Sequence, residues 1–208
     1  GIPRALAGTA IPFVYGDLQK LEDLLIENRG EVAAIMMEPM RTELPDPGYL
    51  AGVKQLAKAH NAVLIFDEVS CGWRISMGGM QEYLGVIPDM TIHAKAMSNG
   101  YPMGVVVGSK EVMEPASRMF ISSSYWSDNI GLIASISTIR ELKNRNSSVR
   151  FKEIGEELGS ALDDAINSTG IAAHVTGIHT MPTIVFDVPD ADLTPKVKTL
   201  FIQEMALR

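Results

Sequence analysis

The sequence predicts an α/β domain built around a mostly parallel β-sheet. Two short apolar runs, at 33–38 and 62–69, flank a segment with helical periodicity, so the order is strand, helix, strand. A crossover of this kind joins two parallel neighbours by a right-handed connection. Both runs are apolar at almost every position, which is typical of strands covered on two faces. The order of the predicted elements and the apolar composition of the strands therefore together indicate the α/β class.

The first two helices have clear boundaries. Asp17 suits the N-cap of a helix with leucines at helical spacing, and Gly30 is a natural terminator. The second helix follows the proline- and acid-rich loop RTELPDPG, between the two apolar runs. Its buried face is expected to carry Leu50, Val53, Leu56 and Ala57.

Two further strands follow, DMTIHA at 89–94 and GVVVG at 104–108. Only nine residues separate them, which is too few for a helical crossover. We therefore predict that GVVVG runs antiparallel to the strand before it.

The rest of the chain is expected to be helical and then to change character. Helices are predicted over 128–142 and from Ser147 or Ser148 to Gly170. AAHVTGIH and PTIVFDV then resemble paired strands, and a last helix is expected to start with Thr194 as its hydroxyl cap and Pro195 in its first turn. The change of pattern predicts a domain boundary, with one domain over 1–145 and the start of a second over 146–208.

Composition excludes several function classes. The chain of 208 residues has a formal charge of −7, which argues against a nucleic-acid partner. No stretch approaches the roughly 18 apolar residues of a membrane span. Cys71 is alone, so no intrachain disulfide is possible and we expect a cytoplasmic protein. The chain starts at Gly1 and its last helical pattern runs to Arg208, from which we predict an internal piece of a longer protein.

Three predicted strands end in residues that can do chemistry. The first delivers Glu38, the second Asp67 and Glu68, and the third Lys95. Ligands of open α/β sheets bind beyond the carboxyl ends of the strands, so an acid and a lysine there can face one ligand. Asp67 and Glu68 are adjacent and point to opposite faces, and no His or Cys cluster is near, so we predict no metal. By position alone, Lys95 is either a surface lysine or a nucleophilic amine kept from water.

The motifs at these strand ends resemble a known family. LIFDEVSCGWR is followed by GVIPDMTIHAKAMSNGYPMGVVVGSKEVM, with Lys95 placed 28 residues after Asp67. This segment resembles the cofactor-binding region of class III aminotransferases, and within them the glutamate-1-semialdehyde aminomutase branch. The resemblance extends over essentially the whole chain. It implies an aspartate-aminotransferase-like fold (fold type I), here a partial large domain plus the start of a small α+β C-terminal domain.

The resemblance also implies a cofactor and roles for residues. The cofactor is pyridoxal 5'-phosphate, held by Lys95 as a Schiff base, with Lys95 then moving the substrate proton. Asp67 would keep the pyridine nitrogen protonated, and Val69 would pack against the ring. Ser70 stands where relatives carry a residue near the ring hydroxyl. A hydroxyl in ISSSYWSD would reach the cofactor phosphate from the neighbouring subunit; Ser124 is our first choice for it and Ser123 the second.

Other candidates keep two interpretations. Glu38 is either near the substrate or a polar strand end. Arg74 is more consistent with a salt bridge that pins its turn than with substrate binding. The four histidines and Cys71 are interpreted as structural. Ala94 and the Ser-Asn-Gly loop depart from the glycines common in the family, and the phosphate-cradling turn of the family is not found in the sequence.

The expected function is transfer of an amino group between an amine or amino acid and a carbonyl acceptor, in a homodimer with shared active sites. The intramolecular aminomutase reaction is the alternative within this chemistry. A non-catalytic remnant or interaction module that keeps the fold is the alternative outside it.

Overall fold

A computed structural model of the protein describes residues 3–208. Its central feature is a four-stranded sheet in the order β1-β2-β3-β4, formed by Ala34–Met37, Val63–Asp67, Met90–His93 and Val105–Gly108. The first three strands are parallel, and β4 is antiparallel to β3. The predicted α/β class and the predicted reversal at GVVVG are both confirmed.

Seven α-helices lie within the described residues. They are α1 Leu18–Glu27, α2 Tyr49–Ala59, α3 Gly79–Leu84, α4 Lys110–Met113, α5 Asn129–Asn144, α6 Ser147–Thr169 and α7 Thr194–Ala206. Short 3-10 turns occupy Arg4–Leu6, Lys95–Ser98 and Glu114–Arg118. The predicted start of α1 is confirmed, because the Asp17 carboxylate accepts the Lys20 backbone N–H at 3.0 Å.

The main core lies on one face of the sheet. Leu21 and Leu25 of α1 pack with Val53 and Ala57 of α2 against buried strand residues. Those strand residues are Ile35, Met37, Leu64 and Phe66. The predicted buried face of α2 is largely confirmed, since Leu50, Val53 and Ala57 are buried and Leu56 is half-buried.

The prediction that the strands are covered on both faces is wrong for β1. Its residues alternate between exposed and buried, and the Met36 side chain is 52% exposed. The cause is that α1 and α2 pack on the same side of the sheet, the side that holds Ile35. The apolar composition therefore predicted the strand itself correctly, but it did not predict that only one face of β1 is covered.

A second, two-stranded sheet forms in the C-terminal part. The strands β5, Ala173–Thr176, and β6, Thr183–Phe186, pair antiparallel as predicted. Helix α7 packs on β6 through the rings of Phe186 and Phe201, whose centroids are 5.4 Å apart. The domain boundary near residue 146 stays a prediction.

The start of α7 differs from the prediction. Thr194 is the first helical residue rather than the N-cap, which is Leu193, and no side chain caps the helix. The Thr194 hydroxyl donates instead to the Asp190 carbonyl of the preceding turn, at 3.5 Å. Proline in the first turn is tolerated because its missing N–H would have had no helical partner.

Helix α5 offers a test of local stability. Asp128 is half-buried, and its carboxylate accepts the Ile130 N–H at 2.9 Å as the N-cap of the helix. We expect Asp128→Ala to lower the free energy of unfolding by about 1 kcal/mol, because that N–H loses its partner. Urea denaturation measures this loss. Asp164→Ala, inside α6, is the matched control and should cost nothing; an equal loss in both variants would contradict the role of the cap.

Among residues 3–208, every helix is too short or too polar to cross a lipid bilayer.

Candidate active site

Lys95 lies at the carboxyl edge of the central sheet, where β3 ends and a 3-10 turn begins. Its backbone is in the left-handed region, with φ of +47°. Its Nζ donates a hydrogen bond to Oγ of Ser70 at 2.7 Å. Ser70 belongs to the turn that follows β2, so this bond joins the ends of two neighbouring strands. The structure thus brings together two residues that the sequence separates by 25 positions.

Asp67 is the last residue of β2 and pairs in register with Ile92 of β3. One of its carboxylate oxygens, Oδ1, accepts the backbone N–H of Val69 at 3.0 Å. The other oxygen, Oδ2, accepts no hydrogen bond from residues 3–208, and the side chain is half-buried. A carboxylate held through one oxygen keeps the other for a ligand. The acid and the lysine therefore share one edge of the sheet, as predicted.

Glu68 points away from Asp67 and is fully buried. Its two carboxylate oxygens accept the backbone N–H groups of Met80 and Gln81, at 2.8 and 2.9 Å, at the start of α3. Burial raises the pKa of this carboxyl above its ordinary value, and the two hydrogen bonds oppose that rise. Glu68 therefore fixes the segment that follows the Asp67 turn.

Trp73 and Arg74 lie in a turn of the segment that connects β2 to α3. Nε of Arg74 donates to the backbone carbonyl of Ser70, so Arg74 holds the turn that carries the partner of Lys95. We predicted that Arg74 would pin this turn by a salt bridge. The pinning is confirmed but the partner was wrong, because within residues 3–208 Arg74 makes no ion pair with a carboxylate and a carbonyl lies closer.

His93 is the last residue of β3 and is buried beneath this turn. Its ring lies 5.6 Å from the ring of Trp73, and neither His93 Nδ1 nor Trp73 Nε1 has a hydrogen-bond partner among the described residues. Burial lowers the pKa of His93 below its ordinary value of 6.5. His93 thus lies within a strand, as predicted, and its purely structural role stays a prediction.

The shifted pKa of His93 predicts a dependence of stability on pH. The folded protein binds this proton less readily than the unfolded chain, so stability is lost as the pH falls below 6.5 towards the lowered pKa. We expect His93→Gln to lose less free energy of unfolding than the wild type between about pH 7.5 and about pH 5.5. The raised pKa of Glu68 acts in the opposite direction in both proteins, so the difference between them isolates His93. Equal losses, measured by urea denaturation at each pH, would refute this assignment.

The remaining predicted residues have separate surroundings. Glu38 directly follows β1 and forms an ion pair with Arg41 at 3.4 Å, which suits a polar strand end, and its contact with substrate stays a prediction. Ser123 and Ser124 lie in an exposed stretch before α5 and form no hydrogen bond with Lys95 or Asp67 within the described residues. Val69 is half-buried beside Asp67. Burial raises the pKa of the Cys71 thiol to about 12, which is consistent with a structural role.

Sequence reasoning missed the partners that hold this edge together. The Lys95–Ser70 hydrogen bond, the carboxylate of Glu68 under α3 and Gly79 beside it were not predicted. Glu68 carried one usable indication, since an acid in an otherwise apolar run needs hydrogen-bond partners. The sequence contains no comparable indication for which hydroxyl faces Lys95.

Comparison with known proteins matches residues 15–202 to the family described as Aminotransferase class-III. A 3-aminobutyryl-CoA aminotransferase of Cloacimonas acidaminovorans is 33% identical over 99% of this chain and 51% of its own length. A glutamate-1-semialdehyde 2,1-aminomutase of Methanosarcina acetivorans is 32% identical over 89% of this chain and 46% of its own. The chain therefore spans about half the length of these relatives.

Solved structures agree on the fold. The pyridoxal-phosphate internal aldimine form of the FumI protein of Sphingopyxis sp. MTA144 superimposes with a TM-score of 0.81 at 26% identity, over 88% of this chain and 45% of that one. An omega-transaminase of Sphaerobacter thermophilus gives a TM-score of 0.79 at 28% identity, over 91% of this chain and 45% of its own. The predicted fold, a partial fold type I large domain, is confirmed.

Proposed function

Because the chain belongs to the class III aminotransferase family, whose cofactor is pyridoxal phosphate, we propose that Lys95 and Asp67 form its catalytic pair. The protein that carries the chain then moves an amino group between a small amine or amino acid and a carbonyl acceptor. The observation that carries the proposal is the position of Lys95: the residue is exposed at the carboxyl edge of the sheet, and its amine bonds a single neutral hydroxyl in the turn that follows the strand ending at Asp67.

The residues present fit pyridoxal phosphate. A primary amine suits its aldehyde carbon, and a carboxylate suits its pyridine nitrogen. The Lys95 amine has no carboxylate partner within residues 3–208, so no salt bridge must break before it binds a carbonyl carbon. Asp67 has one oxygen engaged by Val69 N–H and one that accepts no hydrogen bond there. Within the described part of the chain, neither group is thus engaged in an ion pair.

Each residue then has a defined task. When bound, the cofactor supplies an electron sink for the bond that breaks at the substrate carbon. Nζ of Lys95 would hold the cofactor and then take the substrate proton and return it at another carbon. Oδ2 of Asp67 would keep a proton on the pyridine nitrogen, and the Oδ1 bond to Val69 N–H fixes the plane of that carboxylate. The Ser70 hydroxyl would orient Nζ while Arg74 holds the Ser70 backbone.

A homodimer completes this proposal. Ser124, or Ser123 beside it, would contact the cofactor phosphate bound by the other protomer. Their exposure supports such a role, as does the apolar surface around them, where Phe120 is 97% exposed and Trp126 65% exposed.

The proposed division into a large domain over 1–145 and a small domain from 146 is supported by the separate β5–β6 sheet.

The aminomutase reaction is the second candidate, and one observation favours it. A glutamate-1-semialdehyde 2,1-aminomutase is as similar to this chain as the aminotransferase relative, at 32% against 33% identity. In an aminomutase the product amine has the same carbon skeleton as the substrate, whereas in an aminotransferase the amino group passes to a different carbon skeleton.

A ¹⁵N experiment on the full-length protein separates the two. The protein is loaded with pyridoxal phosphate and given ¹⁵N-labelled amino acids or amines together with an unlabelled carbonyl acceptor. Transfer of ¹⁵N to the acceptor, read by mass spectrometry, would support an aminotransferase. Retention of ¹⁵N at a new carbon of the donor would support an aminomutase. No nitrogen movement with any donor, in protein that retains the cofactor, would favour the non-catalytic alternative.

A further inference from the structure

We propose that a second cavity, which we call the α5–α6 cavity, binds a small carboxylate with an apolar body. It is lined by the Trp73–Arg74 turn, by the C-terminal half of α5, by one face of α6 and by the 179–182 turn. Its volume is about 710 Å³, within the range of small-molecule sites. This site is additional to the proposed reaction at Lys95 and does not depend on it.

The charges around the cavity leave one cation without a counter-ion. Glu141 and Arg145 neutralise each other through an ion pair at 2.7 Å. Arg74 uses only Nε, on the Ser70 carbonyl, and its remaining guanidinium N–H groups have no acceptor within residues 3–208. These free N–H groups can donate paired hydrogen bonds to a carboxylate. His179 also lines the cavity and adds no negative charge.

The opposite wall is apolar. Phe151, Ile154 and Leu158 lie three or four positions apart on α6, so they share one face. They line the cavity and remain 36%, 45% and 48% exposed. An apolar ligand body would remove this surface from water, which is favourable roughly in proportion to the apolar area buried.

The 179–182 turn contributes one buried polar group and a close contact with α6. The hydroxyl of Thr180 is buried in the cavity wall and has no hydrogen-bond partner among the described residues. The wall itself is firm, because a side chain at Gly155 of α6 would overlap the backbone carbonyl of His179. A cation at one end and an apolar face at the other together describe a site for an apolar carboxylate.

Tryptophan fluorescence tests this without any catalysis. The tryptophans of this chain are Trp73 and Trp126. In the full-length protein, replacing Trp126 and any tryptophan outside the chain by phenylalanine leaves Trp73, in the cavity wall, as the reporter. We expect octanoate to change the Trp73 emission saturably, and octylamine, which has the same body and the opposite charge, to leave it unchanged. Arg74→Gln and Leu158→Glu, each added to this protein, should weaken octanoate binding by at least about tenfold. Leu200→Glu, on exposed α7, is the matched control and should not.

Three results would overturn the proposal: no saturable change with octanoate, an equal response to octylamine, or octanoate binding that survives Leu158→Glu. The first is also what a polypeptide segment filling the cavity would produce. Because Leu158 is exposed, Leu158→Glu should leave the fold intact, so it tests octanoate binding even if Arg74→Gln disturbs the turn. Attachment of pyridoxal phosphate to Lys95, measured on the full-length protein, tests the proposed function separately, so either idea can fail alone.

Discussion

Lys95→Ala is expected to abolish the covalent attachment of pyridoxal phosphate that borohydride makes permanent. Alanine has no amine to bind the aldehyde carbon, and within residues 3–208 no other lysine lies just after β1, β2 or β3 at this edge of the sheet. Amino-group transfer should fall by at least about 10²–10⁴-fold, the usual contribution of a positioned proton-transfer group. Peptide mapping of the reduced, cofactor-treated full-length protein measures the first effect, and the ¹⁵N assay measures the second.

Two further variants make this prediction specific. Lys54→Ala removes an exposed lysine of α2 and should leave both the label and the activity unchanged. Asp67→Asn keeps the shape of the side chain and loses its charge, so it should weaken cofactor retention and leave the label on Lys95. Label scattered over surface lysines in wild-type protein, or label undiminished in Lys95→Ala, would show that Lys95 does not hold the cofactor.

The fold was largely predictable because its information is local. The periodicity of α1 and α2, the length of the apolar runs and the nine residues before GVVVG each limit structure within a short stretch. The exposure of Met36 was not predictable in this way. It depends on which side of the sheet α1 and α2 occupy, and no property of β1 itself records that.

In the candidate site, too, the local features were predictable and the contacts between distant turns were not. Strand ends place Asp67 and Lys95 at one edge, because parallel strands end together. The bond from Lys95 to Ser70 and that from Arg74 to the Ser70 carbonyl depend on the path of two turns. We predicted a salt bridge for Arg74 because a carboxylate is the strongest acceptor for a guanidinium. The geometry of the turn instead places the Ser70 carbonyl within reach of Arg74.

Gly79→Ala is expected to lower the free energy of unfolding by about 2–4 kcal/mol, the largest effect on stability that we predict. Gly79 has φ of +74°, which a residue with a Cβ adopts only at a cost. An added Cβ would also overlap the carboxylate of the buried Glu68. If that carboxylate moves, the N–H groups of Met80 and Gln81 lose their acceptor. Urea denaturation of both proteins measures the loss.

The matched control is another glycine in a helix. Gly159 lies inside α6, and a Cβ added there would meet no atom within 4 Å. Gly159→Ala should therefore stabilise the protein by about 0.5–1 kcal/mol, through helix propensity alone. Opposite signs for the same substitution would locate the cost of Gly79→Ala in the Glu68 contact and the backbone conformation. If Gly79→Ala were neutral, Glu68 could not be the buried acceptor that fixes the start of α3, and the turn that positions Ser70 for Lys95 would need another support.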